Sequence, residues 1–163
     1  MDTRKEIIEI LAKDAKIDYK HLGMMVGISE DEAAKEVKAL EDEGIILGYG
    51  ALINTELLGD AAQAEAFIEL KVSPERDFGY DDIARKVYKF PEVKALYLNS
   101  GRCDLIVKIE ARTMKAISQF VWEKLAVLEG ITGTETLFIM RKYKENGQIL
   151  IKDEKSERLV VSP

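Results

Sequence analysis

Residues 18–44, DYKHLGMMVGISEDEAAKEVKALEDEG, decide the fold of the first third of the chain. Asp18 is suited to cap a helix. Leu22, Met25 and Val26 follow as an apolar stripe that stops at Gly27, a residue able to take positive φ in a tight turn. Ser29 with Glu32 three positions on has the form of a capping box, in which each side chain satisfies a free backbone amide at a helix start. The helix so opened carries Ala33, Val37 and Leu40 on one face and closes at Gly44. Two short helices joined by a glycine-containing turn are the arrangement of a helix-turn-helix.

Upstream, Ile7, Ile10 and Leu11 recur at the spacing of one buried helical face and predict a helix over 3–14. Downstream, Ile45-Ile46-Leu47, Gly48-Tyr49-Gly50 and Ala51-Leu52-Ile53 read as strand, bend and strand. The strand pair would add a wing. A generic three-helix bundle is the alternative reading of this pattern, because short helical hairpins are common.

The pattern breaks at Leu58-Gly59-Asp60-Ala61, which places a linker at 59–64 between a domain over 1–58 and a second over 65–163. From Ala64 to Val72 apolar and polar residues alternate, with Ala66, Ile68, Leu70 and Val72 on one face of a half-buried strand that Pro74 ends. A helix follows with Ile83, Val87 and Phe90, stopped by Pro91. Val93–Ser100 and Asp104–Glu110 read as strands joined through a hairpin-length connection. Thr113 caps a longer helix with Ile117, Phe120, Val121, Leu125 and Leu128 inward, and Ile131–Met140 is the fourth strand. The order βαββαβ is ferredoxin-like: an antiparallel sheet with helices on one face only. Its other face, where Phe67 and Phe138 are expected, needs solvent or a partner, which predicts a homodimer. The tail, 141–163, is expected to add a further strand or wrap a neighbour. The fold class is therefore α+β, a winged helix-turn-helix followed by a ferredoxin-like domain.

At 163 residues, 47% apolar and 33% charged, the chain has the composition of a folded protein. Its single cysteine allows no intrachain disulfide, no apolar run reaches the roughly 18 residues of a membrane span, and no secretory signal precedes the first helix. These features predict a cytoplasmic protein with no membrane partner. The net charge of −6 is unevenly placed, since residues 1–58 hold 7 Lys+Arg against 13 Asp+Glu and the remainder is balanced.

An enzyme needs a nucleophile with a base, paired acids or a metal cluster. The one histidine, His21, stands in a helix, where packing or surface roles are commoner than catalysis. Cys103 has no histidine near it in sequence, no zinc-ligand spacing occurs, and no glycine-rich phosphate loop follows a strand. The expectation is no enzyme, no metal and no cofactor. The turn Ser100-Gly101-Arg102-Cys103-Asp104 supports two readings equally. Gly101 permits close approach to a ligand, Ser100 offers a hydroxyl and Asp104 a carboxylate for an α-ammonium group; alternatively, the turn is an ordinary hairpin in which Asp104 bonds its own amides.

Val26–Ser29, Val37–Tyr49 and the Ser-Gly-x-x-Asp turn at 100–104, after the Pro91-Glu92-Val93 strand entry, together resemble the leucine-responsive/AsnC family of feast-or-famine transcription regulators. The likeness runs in order along nearly the whole chain. It implies double-stranded DNA as partner, dimers that assemble to tetramers or octamers, and a small effector, usually an amino acid, held between ligand domains. Carried onto this sequence, it implies effector contacts at Leu98, Ser100, Gly101, Arg102, Asp104, Thr134 and Thr136. Tyr19, Lys20, Ser29, Asp31, Glu32, Ala34, Lys35 and Lys38 are the expected DNA-facing residues. Two positions depart from the family: Cys103 replaces an aromatic, and Glu36 stands where arginine is common. From Ser29 to Glu43 seven acids oppose two lysines. An alternative reading is thus a metabolite-sensing assembly protein whose acidic helix-turn-helix no longer binds DNA strongly.

Overall fold

Helix starts are set by side chains in the first unit. The computed structural model describes residues 2–59, 63–73 and 79–151, and the chain divides into units over 1–53 and 54–163. Parts of the expected linker (60–62), Pro74 and the tail beyond 151 lie outside the described residues. The first unit holds α1 (Thr3–Leu11), α2 (Tyr19–Val26) and α3 (Glu30–Asp42). Asp2 and Asp18 accept the free amides of Arg4 and His21 at 3.2 and 2.8 Å. Ser29 and Glu32 form the expected capping box. Ile7, Leu22, Ala33, Val37 and Leu40 are buried together. Each large aliphatic side chain there contributes about 1.5–3 kcal/mol by leaving water.

Two expectations fail in this unit. Met25 is 63% exposed, because α2 turns its Leu22–Gly23 side toward α3. A Cβ at Gly23 would stand 2.7 Å from the Ile28 carbonyl oxygen, so the turn packs directly on α2 backbone. The wing strands are also absent: residues 45–53 form no strand. Ile45, Leu47, Leu52 and Ile53 are all more than half exposed, and a two-stranded ribbon without a covered face is marginal in water.

The second unit has the expected βαββαβ order: β1 (Ala64–Val72), α4 (Tyr80–Val87), β2 (Val93–Leu98), β3 (Leu105–Ala111), α5 (Met114–Phe120) and β4 (Ile131–Phe138). A π-helical turn over Val121–Leu125 prolongs α5. The sheet order is β2-β3-β1-β4 and every pairing is antiparallel. Ala66, Ile68, Leu70 and Val72 are buried as their alternation predicts, against Ile83, Val87, Ile117, Phe120 and Leu125 from the helices.

Phe138 is a correction. It pairs with Ala66 and packs on the core, since residues directly opposite on neighbouring strands share a face. A register irregularity between Lys71 and Val72 adds one residue to β4; simple alternation from Ile131 would have put Phe138 outside. Phe67, paired with Lys108, stays on the second face as expected. Of the tail, residues 141–151 are described, and they do not extend the sheet. Lys144–Glu145 (β5) and Gln148–Ile149 (β6) form their own hairpin instead of extending the sheet. Asn146 and Gly147 at its tip both have positive φ, 46° and 82°, the local chemistry of a tight two-residue turn. Side chains fasten this hairpin to the second face. Lys142 pairs with buried Glu65, Lys108 reaches Glu65 and Glu145 at 3.1 Å each, and Lys142 reaches Glu145 at 3.0 Å. Among the described residues no helix is long and apolar enough to cross a membrane.

Candidate functional site

The helix-turn-helix presents one bare row. With Ala33, Val37 and Leu40 buried, the opposite side of α3 consists of Asp31, Lys35, Lys38 and Asp42, all exposed. Ala34 flanks this row half-buried. Tyr19 and Lys20 open α2 and are exposed. The structure thus brings the expected DNA-facing residues onto two consecutive elements, but it engages several of them. Ser29 and Glu32 hold each other: the Ser29 amide and hydroxyl donate to Glu32 Oε2 at 2.9 and 2.7 Å. Bonding to the Ser29 backbone keeps the Glu32 carboxyl below its ordinary range. Lys38 leans on Asp42 at 3.4 Å.

Glu36 has a partner that sequence reading missed. Arg4 of α1 lies 3.7 Å from Glu36 and 2.7 Å from Glu43, and its bond to Glu43 holds the guanidinium pKa above the usual value. The two elements are more than thirty residues apart, and no local spacing signals their contact. Tyr49 donates to Glu41 at 2.8 Å. Five of the seven acids that give this segment its negative charge are therefore engaged inside the unit.

In the second unit, the turn residues 100–104 point to different places. Ser100 and Gly101 are exposed at the tip. The Asp104 carbonyl accepts the Asn99 amide at 2.8 Å and closes the turn, but the Asp104 carboxylate is directed elsewhere. It accepts the Val72 amide at 2.8 Å and the Tyr80 hydroxyl at 3.4 Å, while the Asp104 amide donates to the Leu70 carbonyl at 3.0 Å. Asp104 therefore ties the hairpin to β1 and α4. Arg102 turns to the second face, where it meets Glu69 at 2.9 Å and Glu135 at 3.7 Å. These three, with Lys71, Gly133 and Thr134, line a recess of about 380 Å³. Cys103 beside them is buried, its sulfur 3.4 Å from Asn99 Nδ2.

Leu98 stands elsewhere, in a hollow of about 450 Å³ with Tyr80, Ala84, Tyr88 and Leu96. Thr134 and Thr136 are in register with Leu70 and Ile68 on β4. Since β2 and β4 are opposite edges of the sheet, Leu98 and the two threonines are separated by three strand spacings, roughly 14 Å. One small molecule cannot bridge them within a single domain.

Comparison with known proteins agrees with this architecture. The Lrp/AsnC ligand-binding domain matches residues 65–149. The HTH-type transcriptional regulator YugG of Bacillus subtilis is 36% identical, over 97% of this chain and 95% of its own length. The leucine-responsive regulatory protein of Salmonella typhimurium is 29% identical, over 91% and 89%. A transcriptional regulator of Neisseria meningitidis, solved as a complex with L-Met, superimposes with a TM-score of 0.70 at 26% identity, covering 89% of this chain and 92% of that one. With a helix-turn-helix in front of this ligand-binding domain, and full-length relatives that are transcriptional regulators, the chain belongs to the Lrp/AsnC family.

Proposed function

We propose that this chain is a cytoplasmic DNA-binding transcriptional regulator, not an enzyme, that sets α3 into the major groove and responds to an amino acid bound between copies of its ligand domain. The observation that carries the DNA half is the bare row Asp31–Lys35–Lys38–Asp42 on a helix whose other side is wholly buried. A second helix held this way against the first is the docking geometry of helix-turn-helix proteins. The separation of Leu98 from Thr134 and Thr136 supports the effector half: these residues meet one ligand only where two copies bring opposite edges together. Ser100, Gly101, Arg102 and Asp104 then face the junction, Asp104 by holding the turn in place. The second face of the sheet, with Phe67, Tyr97, Ile106 and Leu137 between two ion clusters, is where we place the dimer, which associates further into tetramers or octamers.

Fluorescence anisotropy of purified protein on duplex DNA from immediately upstream of its own gene, at low salt, tests the first half. An oligomeric sample with no binding there refutes it. Calorimetry against the twenty amino acids tests the second half, and heat from none of them refutes it. The acidic stretch Ser29–Glu43 favours one competing reading, in which the helix-turn-helix makes protein contacts only. Salt-independent retention of a protein partner with no DNA binding would support that reading instead.

A further inference from the structure

We infer that Asp31 reads a cytosine in the operator and that Lys35 reads a guanine about two base pairs away. This rests on the DNA-binding function proposed above and names the sequence such a regulator would select.

Asp31 is the exposed residue nearest the start of α3 in its outward row, the end that reaches base edges when a recognition helix enters the major groove. Of the other acids in Ser29–Glu43, Glu30 alone is likewise unengaged among the described residues and lies off this row. Glu32 is held by Ser29, Glu36 and Glu43 by Arg4, and Asp42 by Lys38. Asp31 makes no hydrogen bond or ion pair among the described residues. An ionised carboxylate accepts and cannot donate. In the groove, guanine presents only acceptors, thymine an acceptor and a methyl group, and adenine an acceptor beside its amine. Cytosine alone presents a donor, N4–H₂, with no acceptor of its own next to it. A carboxylate brought to the groove floor is therefore repelled by most bases and satisfied best by one. Placed against phosphates it would only repel.

Lys35 follows one turn later on the same row. Four residues at a rise of 1.5 Å advance about 6 Å along the helix, which spans roughly two base-pair steps. Its ammonium carries three donors and no acceptor, and guanine O6 and N7 are its match. Lys35 feels the nearby Glu32 carboxylate but forms no hydrogen bond with it that would hold it from the groove. Asp31 and Lys35 together define a half-site with a cytosine and a guanine at fixed separation.

The test is selection from a randomised duplex pool by full-length protein at low salt, run in parallel with wild type, Asp31→Asn and Asp31→Ala. Wild type is expected to enrich cytosine at one position. Asp31→Asn should move that preference to adenine, which an amide pairs with through both N6 and N7, and Asp31→Ala should lose it. Replacing that cytosine's amino group by hydrogen should weaken wild-type binding roughly five- to hundredfold and leave Asp31→Ala unchanged. This second measurement uses wild-type protein and stands if a variant folds poorly. Cytosine enrichment that persists in both variants, or wild-type affinity indifferent to the missing amine, overturns the assignment while leaving DNA binding intact. Failure of every protein to enrich any sequence overturns the proposed function itself, and the assignment with it.

Discussion

Replacing Gly23 by alanine would normally strengthen a helix, because alanine is favoured over glycine in a helix interior by about 1 kcal/mol. Here the opposite sign is expected. The added methyl would lie 2.7 Å from the Ile28 carbonyl oxygen, 3.0 Å from that of Ser29 and 3.2 Å from the Ser29 carbonyl carbon. All three are backbone atoms, so no side chain can swing aside. Relief to ordinary contact needs the α2–α3 turn to retreat by about 0.7 Å, which strains the 2.9 Å bond from the Ile28 amide to the Gly23 carbonyl and the capping box beginning one residue later. Overpacking of this kind costs about 1–3 kcal/mol, enough to cancel the propensity gain and exceed it. In a unit of this size each lost kcal/mol lowers Tm by about 4–8 °C. Hydrogen exchange read by mass spectrometry over residues 19–42 of the full chain isolates this unit. Loss of protection there, with residues 64–138 unchanged, is the expected result. Protection equal to or above wild type would refute the claim that backbone contact at Gly23 sets the geometry of the turn.

Lys142→Ala removes one of two cations from buried Glu65, and the ligand domain should lose roughly 1–3 kcal/mol, measured as the shift of its urea midpoint. Glu145 is held below the ordinary carboxylate value of 4.5 first by its bond to Lys142 and then by Lys108, against the opposing effect of burial. Its depressed folded pKa means the contribution is fully present above the unfolded value and fades as pH falls through the folded one, so stability should decline below about pH 4.5; Glu145→Gln should flatten that limb. Asp104→Ala should destabilise the domain by about 1–3 kcal/mol by stranding the Val72 amide, even without ligand, whereas exposed Arg102→Ala should leave the thermal transition nearly unchanged. Equal transitions for the two variants would contradict the anchoring role of Asp104.

Most of the fold is legible because periodicity and caps are local. Alternation through Ala66, Ile68, Leu70 and Val72 gives the central strand, and Ser29 with Glu32 gives the start of α3. What escapes reading is whatever depends on pairing across the chain. The bulge opposite Lys71 and Val72 reverses the parity of β4, and only the partner strand shows it. Met25 fits the helical stripe as well as Leu22 does, until the approach of the turn at Gly23 chooses the face. The candidate site divides in the same way. The tip Ser100-Gly101 stands where the turn chemistry puts it, yet the direction of Asp104 into β1 and of Arg102 onto the opposite face follows from neighbours distant in sequence.

The acidic third helix bears on how strongly this protein holds DNA, and charge placement converts that into a slope. Arg4 offsets one of the two charges of Glu36 and Glu43, Lys38 lies 3.4 Å from Asp42 in an exposed pair, and Glu32 serves as a cap, so Glu30 and Asp31 are the acids of α3 that engage no side chain among the described residues. Negative charge in the first turn is itself favoured by the helix dipole, so neither acid destabilises the unbound helix. Lys20, Lys35 and Lys38 are the exposed cations on the proposed face. Each phosphate neutralised contributes about −0.9 to the slope of log K against log salt; with Lys35 directed to a base, Lys20 and Lys38 give roughly −2 per helix-turn-helix and about twice that for a dimer with both heads engaged. Anisotropy titrations from 50 to 200 mM salt measure it directly. A slope near zero would mean that these lysines do not touch phosphate and that α3 faces a protein. A slope much steeper than that of a dimer would require cations from outside this face, or more than two heads on one DNA.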